Sequence, residues 1–178
     1  MVKGENEILG QVKQAYLHAQ ESGFTGKLLN VLFQRSLFVG KRVRTETGLS
    51  SGSSSVGSVA VAMAERIFDN LRDRVVMILG AGKMAELTTK YLLSQKVRSI
   101  LVSNRSFERA QTLAAQFGGR ALTFDQGIAA MEEADIVICS TAAPHPIIHR
   151  DQVTEVMRRR NGRLLFFIDI AVPRDVDP

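Results

Sequence analysis

The chain has a single cysteine among its 178 residues. An internal disulfide is therefore impossible, and a reducing compartment, the cytoplasm, is the expected setting. No apolar run approaches the roughly 20 residues that span a bilayer. The stretch Met1-Val2-Lys3-Gly4-Glu5-Asn6-Glu7 carries no secretory signal pattern. Three histidines and one cysteine show no zinc-ligand spacing, so no metal is expected. Charge of one sign is only mildly in excess, 23 basic against 18 acidic residues for a net +5. That balance suits anionic ligands but does not by itself argue for nucleic-acid binding. What is present is ordinary for a globular chain, with 45% hydrophobic and 23% charged residues.

The organising stretch is Val75-Val76-Met77-Ile78-Leu79-Gly80-Ala81-Gly82-Lys83-Met84-Ala85. Five apolar residues in a row read as a strand buried on both faces. Gly80-x-Gly82-x-x-Ala85 follows at once and opens a helix. Gly80 permits the sharp turn, Gly82 lets a pyrophosphate approach the backbone, and Ala85 lets the helix pack close to the strand. The free N–H groups and the positive helix end then face the anion. Gly80, Ala81, Gly82, Lys83, Met84 and Ala85 are the expected cofactor cradle.

Ahead of this stretch, helical periodicity covers residues 5–20, 27–39 and 58–71, with Gly40 as a C-cap and a polar, basic connection after it. Serine and glycine fill residues 48–55. The first two helices lack a visible partner for their apolar faces, so residues 1–50 read as the tail of a larger domain, 51–72 as a linker helix and 73–178 as the nucleotide-binding domain. From Asp73 onward strands at 75–79, 99–103, 120–124, 134–141 and 163–169 alternate with helices at about 84–94, 107–117, 125–133 (capped by Asp125) and 150–160. This is the pattern of an α/β, Rossmann-like, doubly wound parallel sheet with right-handed crossovers.

The end of the second strand bears on cofactor choice. A site for NAD places an acid there to hold the ribose 2′-hydroxyl. Here Ser103-Asn104-Arg105-Ser106 occupies that place. An arginine can fork onto a 2′-phosphate or lie against adenine, and the serines and asparagine supply smaller donors. NADP is therefore expected over NAD. Thr141, at the carboxyl end of the fourth strand, borders the expected nicotinamide side.

Five segments together resemble the glutamyl-tRNA reductase family: Gly4-Glu5-Asn6-Glu7-Ile8-Leu9-Gly10-Gln11-Val12-Lys13, Gly40-Lys41-Arg42-Val43-Arg44-Thr45-Glu46-Thr47, Gly80-Ala81-Gly82-Lys83-Met84, Ser103-Asn104-Arg105-Ser106 and Ile168-Asp169-Ile170-Ala171-Val172-Pro173-Arg174-Asp175-Val176. They occur in family order over nearly the whole chain. The resemblance implies NADPH as cofactor and glutamyl-tRNA as substrate, reduced to glutamate-1-semialdehyde for tetrapyrrole synthesis. It also implies a homodimer for the whole enzyme. A cysteine thiolate, expected upstream of Gly4, attacks the activated carbonyl in that family, and no catalytic residue is expected within this chain. By the same resemblance Glu5, Asn6, Glu7 and Gln11 match the segment that holds the glutamyl group. An acid-rich helix N-terminus explains the same residues without a ligand.

Cys139 lies in the apolar run Ile136-Val137-Ile138-Cys139 and reads as an inert core thiol. His145 and His149 read as loop residues, and His18 as solvated. Arg158-Arg159-Arg160 and Lys41-Arg42 suit tRNA phosphates or, equally, a cationic helix end and a solvated loop. Asp169 to Asp175 reads as a turn with a hinge, interface or cofactor role. Two alternatives stay open: a shikimate-type dehydrogenase acting on a free small molecule, and a non-catalytic module that senses NADP(H).

Overall fold

The computed structural model describes residues 6–50 and 55–178. Packing divides the chain into two compact units, Met1–Val59 and Ala60–Pro178.

The first unit is a helical hairpin, α1 (Asn6–Glu21) and α2 (Lys27–Glu46), followed by a short 3-10 turn over Gly48–Ser50. Tyr16 is its pin. The ring stacks on Phe33 with centroids 5.3 Å apart, and its hydroxyl donates to Asn30 Oδ1 at 3.1 Å and accepts from Gln34 Nε2 at 3.3 Å. The helix expected to stop at Gly40 runs on to Glu46. Gly40 is a point of close approach instead: a Cβ there would lie 2.8 Å from Leu9 Cδ1. The continuation is held by the i,i+4 pair Arg42–Glu46 at 2.9 Å, and Thr47 ends it by bonding back to the Val43 carbonyl. No described residue of α2 is buried, and Phe24 and Leu28 stand 79% and 82% exposed.

The second unit takes in most of α3 (Val56–Phe68), which Asp69 ends with φ 58°. Then follow β1 (Val75–Leu79), α4 (Lys83–Ser94), β2 (Ser99–Ser103), α5 (Phe107–Gln116), β3 (Arg120–Leu122), α6 (Phe124–Ala130), β4 (Ile136–Cys139), α7 (Arg150–Arg159) and β5 (Phe166–Asp169). All five strands are parallel in the order β3-β2-β1-β4-β5. This is a Rossmann-like doubly wound sheet. Strand pleat sorts the core into two layers. Val76, Ile78, Ile100, Val102, Ile136 and Ile138 pack with Ala60, Ala64, Ala85, Leu92 and Leu113 of α3, α4 and α5. Met77, Leu79, Leu101, Val137 and Cys139 pack with Ala130 of α6, the adjoining Met131, and Val156 of α7.

Two sequence boundaries shift for identifiable reasons. The third strand stops at Leu122 because Thr123, not Asp125, caps α6. Its hydroxyl accepts from Gln126 N, and the Gln126 side chain accepts from Thr123 N, a capping box. The fifth strand starts at Phe166 because the carbonyls just before it are taken by Arg160. That residue is 1% exposed, so it is no surface cation. Its guanidinium donates to the carbonyls of Met131 and Glu132 at 2.9 Å each, of Ala134, and of Leu164 at 2.5 Å. Its Nε reaches the Arg163 carbonyl at 3.3 Å. Arg158 and Arg159 are exposed and both pair with Glu155.

Candidate functional site

The register fixes where the site lies. Leu79 at the end of β1 is level with Ser103 on one side and Cys139 on the other. The segments after β1, β2 and β4 therefore leave the sheet together at its carboxyl edge, where open α/β sheets bind ligands. Residues 80–85, 103–106 and 141, far apart in sequence, converge there.

Gly80 makes the turn. Its φ is +106°, and a Cβ would sit 2.4 Å from the Ser140 carbonyl oxygen. Only glycine fits that approach without a shift. Its N–H donates to the Ser103 carbonyl at 2.9 Å, which ties the turn to β2. Gly82 is the opposite case. It is exposed, and a Cβ there would meet nothing within 4 Å. It is the N-cap of α4 and offers no side chain to the first-turn N–H groups. Those donors and the helix dipole are thus presented to open space. Ala85 is fully buried, as close helix packing requires. Lys83 is exposed and Met84 and Ala81 are half-buried. The residues fit a dinucleotide pyrophosphate: a tight turn, free donors, and a gap that a side chain would fill.

At the end of β2 the four expected residues divide. Ser103 is fully buried, and its hydroxyl donates to the Thr123 carbonyl at 3.1 Å. Its side chain therefore serves the packing of α6, where Gly127 comes close enough that a Cβ would lie 2.5 Å from Ser103 Oγ. Asn104 Nδ2 donates to the Ser106 carbonyl at 3.1 Å. Ser106 caps α5 through Arg109 N. Arg105 is exposed, and among the described residues nothing holds its guanidinium. Of the four it alone offers an uncommitted charge to a ligand.

After β4, Thr141 is held from the far side. Its N–H donates to Asp175 Oδ2 at 2.8 Å and its hydroxyl donates to Asp175 Oδ1. The same hydroxyl accepts from Ala143 N at 3.2 Å. Asp175 is fully buried. Asp169, at the end of β5, accepts from Ala171 N at 3.0 Å, Asp175 N at 2.9 Å and Val176 N at 3.1 Å. The sequence marks 169–175 as a turn with a hinge, interface or cofactor role. Nothing in its periodicity signals that both carboxylates are acceptors for backbone N–H groups.

Cys139 is fully buried, and burial, reinforced by the Asp169 and Asp175 carboxylates, pushes its thiol well above the ordinary thiol range. It is no nucleophile. His149 lies at the start of α7 with Nδ1 3.2 Å from Asp177 Oδ2. No group of three potential metal ligands occurs among the described residues.

The residues expected to hold a glutamyl group lie in the first unit. Glu5 is outside the described residues. Asn6 begins α1, Gln11 is exposed on it, and Glu7 is half-buried. Glu7 Oε2 is buried without a hydrogen-bond partner among the described residues. Among those residues no helix is long and apolar enough to cross a membrane.

Comparison with known proteins accounts for the whole chain. Residues 62–178 match the family described as Shikimate / quinate 5-dehydrogenase, and residues 1–47 match Glutamyl-tRNAGlu reductase, N-terminal domain. Glutamyl-tRNA reductase from Desulforudis audaxviator is 56% identical over 178 residues, covering 100% of this chain and 40% of that protein. The Pelotomaculum thermopropionicum protein of the same name is 50% identical over 177 residues, 99% of this chain and again 40% of its own length. The solved glutamyl-tRNA reductase of Methanopyrus kandleri superposes with a TM-score of 0.68 at 46% identity, over 99% of this chain and 45% of that one. The nucleotide binding domain of the Thermoplasma volcanium enzyme, at 14% identity and TM-score 0.56 over 70% of this chain and 80% of that one, shares the fold. This chain thus spans about two fifths of the curated relatives it matches. With its sheet domain matching the Shikimate / quinate 5-dehydrogenase family and relatives of one name along its whole length, the chain belongs to the glutamyl-tRNA reductase family.

Proposed function

We propose that this chain is the NADPH-binding portion of a glutamyl-tRNA reductase, which reduces glutamyl-tRNA to glutamate-1-semialdehyde in tetrapyrrole synthesis. In this reading residues 1–50 close the catalytic domain, 51–72 link, and 73–178 bind the cofactor. The matches over residues 1–47 favour it over a shikimate-type dehydrogenase, whose family covers only 62–178. The observation that carries the cofactor assignment is the open cradle over Gly82 beside the uncommitted guanidinium of Arg105.

NADPH supplies a hydride when bound. The chain's own residues do the rest. The N–H groups of Lys83, Met84 and Ala85 hold the pyrophosphate, with the Lys83 ammonium beside it. Arg105 forks onto the 2′-phosphate, and Asn104 and Ser106 hold the loop that carries it. The segment through Thr141 lies at the nicotinamide side. Glu5, Asn6, Glu7 and Gln11 hold the glutamyl group of the substrate, with Glu5 opposite its α-amino group. The thiol that takes the glutamyl group is not Cys139, so this chain alone does not turn over glutamyl-tRNA. The whole enzyme works in the cytoplasm as a homodimer.

Calorimetric titration at fixed salt tests the assignment. Hydrogen bonds to a charged group contribute about 1.5–3 kcal/mol, so Arg105→Ala weakens NADPH by roughly 10- to 150-fold. NADH, which lacks the 2′-phosphate, changes much less. Equal weakening of both would place Arg105 on the adenine or in the fold and remove the 2′-phosphate assignment.

A further inference from the structure

Two carboxylates at the carboxyl edge of the sheet form a nested clamp. Asp169 ends β5 and gathers three N–H groups of the turn that follows it. One of them is the N–H of Asp175, so Asp169 fixes that residue's backbone. The Asp175 side chain then reaches across to the end of β4 and takes both donors of Thr141. Thr141 in turn accepts from Ala143 N. At the other end of the same segment the Ser140 carbonyl presses against Gly80, within 2.4 Å of where a Cβ would be. The segment 140–143 is therefore pinned between the clamp and the glycine turn.

This arrangement is costly for a mere turn. A fully buried carboxylate gives up its hydration, and a hydroxyl at the ligand edge spends its proton inside the protein rather than on a ligand. In a doubly wound sheet a dinucleotide lies across the crevice at the switch point, with its two halves on opposite sides of the first strand. Arg105 follows β2 on one side, and 140–143 follows β4 on the other.

We propose that Asp175, oriented by Asp169, is a positioning residue: through Thr141 it sets the 140–143 segment as the wall for the nicotinamide half of the dinucleotide. The inference rests on the dinucleotide reading of the site. It assigns the clamp to one half of the ligand only.

The test compares NADPH with adenosine 2′,5′-bisphosphate, which carries the 2′-phosphate end and no nicotinamide. Both are titrated into the unaltered chain and into Asp175→Asn, Thr141→Val and Thr141→Ser. Asparagine turns one acceptor into a donor, and valine removes the hydroxyl while keeping its shape. The expected result is NADPH weakened about tenfold or more in Asp175→Asn and Thr141→Val. Adenosine 2′,5′-bisphosphate should stay within about twofold, and Thr141→Ser should restore NADPH binding. Thr141→Val carries the test if Asp175→Asn does not fold. Equal loss of both ligands, or no loss of either, overturns the clamp's role and leaves the dinucleotide assignment standing. An unaltered chain that binds neither ligand overturns both.

Discussion

The two glycines of the turn after β1 look equivalent in the sequence, and the structure separates them. At Gly80 any side chain collides with the Ser140 carbonyl on a backbone of φ +106°. Gly80→Ala should cost about 2–4 kcal/mol of stability, read by urea unfolding. At Gly82 a side chain enters open space. Gly82→Val should therefore cost under about 1 kcal/mol in the same assay yet weaken NADPH and NADH together by about tenfold or more. A Gly82→Val protein that unfolds early while keeping its ligands would reverse the two roles. Cys139 gives a second residue-level test. Its raised thiol stays protonated in the folded chain, whereas the unfolded thiol ionises above its ordinary value of 9.0. The unfolded state then binds fewer protons, so stability falls as pH rises past about 9, by up to about 1.4 kcal/mol per unit. Cys139→Ala should remove that part of the slope in unfolding curves taken from pH 8 to 10.5. The strand, the turn at Gly80 and the start of α4 were legible in the sequence because a buried apolar run followed by closely spaced glycines and a helical period is a local pattern. The Asp175–Thr141 contact was not, since a hydrogen bond between residues 34 apart leaves no local pattern.

Element boundaries were legible where a local signal decides them and were missed where a distant partner does. Strand β1 and helix α4 match the reading almost residue for residue, because their hydrophobic runs and the intervening turn are self-contained. Glycine at position 40 predicts a stop, but its smallness serves the approach of α1, a tertiary reason that overrides propensity. The run Arg158-Arg159-Arg160 reads in the sequence as a tRNA contact or a cationic helix end, but burial among five carbonyls makes Arg160 the fastener between the end of α6 and the start of β5. Burial lowers its pKa, but an arginine stays charged. Arg160→Met keeps the stem and removes the donors, leaving buried acceptors unsatisfied. It should destabilise the domain by about 2–4 kcal/mol, whereas Arg159→Met, which loses only an exposed pair with Glu155, should cost under about 1 kcal/mol. Equal midpoints in chemical denaturation for the two variants would show that the fastener contributes nothing.

Across the whole molecule the two units differ in how much they bury. Strands β1, β2 and β4 are nearly all inaccessible, while α2 has no buried described residue. Helical stability comes mainly from packing of an apolar face, so amides of α2 should exchange through local opening far sooner than those of Val76–Leu79. Hydrogen exchange read by mass spectrometry checks this, and protection of α2 equal to that of β1 would mean that its exposed leucines are covered in solution. The α/β class of the second unit was legible from periodicity alone, since strands and helices alternate regularly from Val75 on. The strand order β3-β2-β1-β4-β5 was not legible there, because helical crossovers allow more than one doubly wound order. That order also has a consequence in time. The first strand made is the central one, with β2 on one edge and β4 on the other. The second edge must wait for a partner 60 residues later, the spacing between Val75 and Asp135. At roughly 5–20 residues per second on a ribosome, an apolar strand stands with one side unpaired for roughly 3–12 seconds. During that interval the nascent chain is a template for any other strand within reach, and its safety depends on how quickly the sixty residues follow.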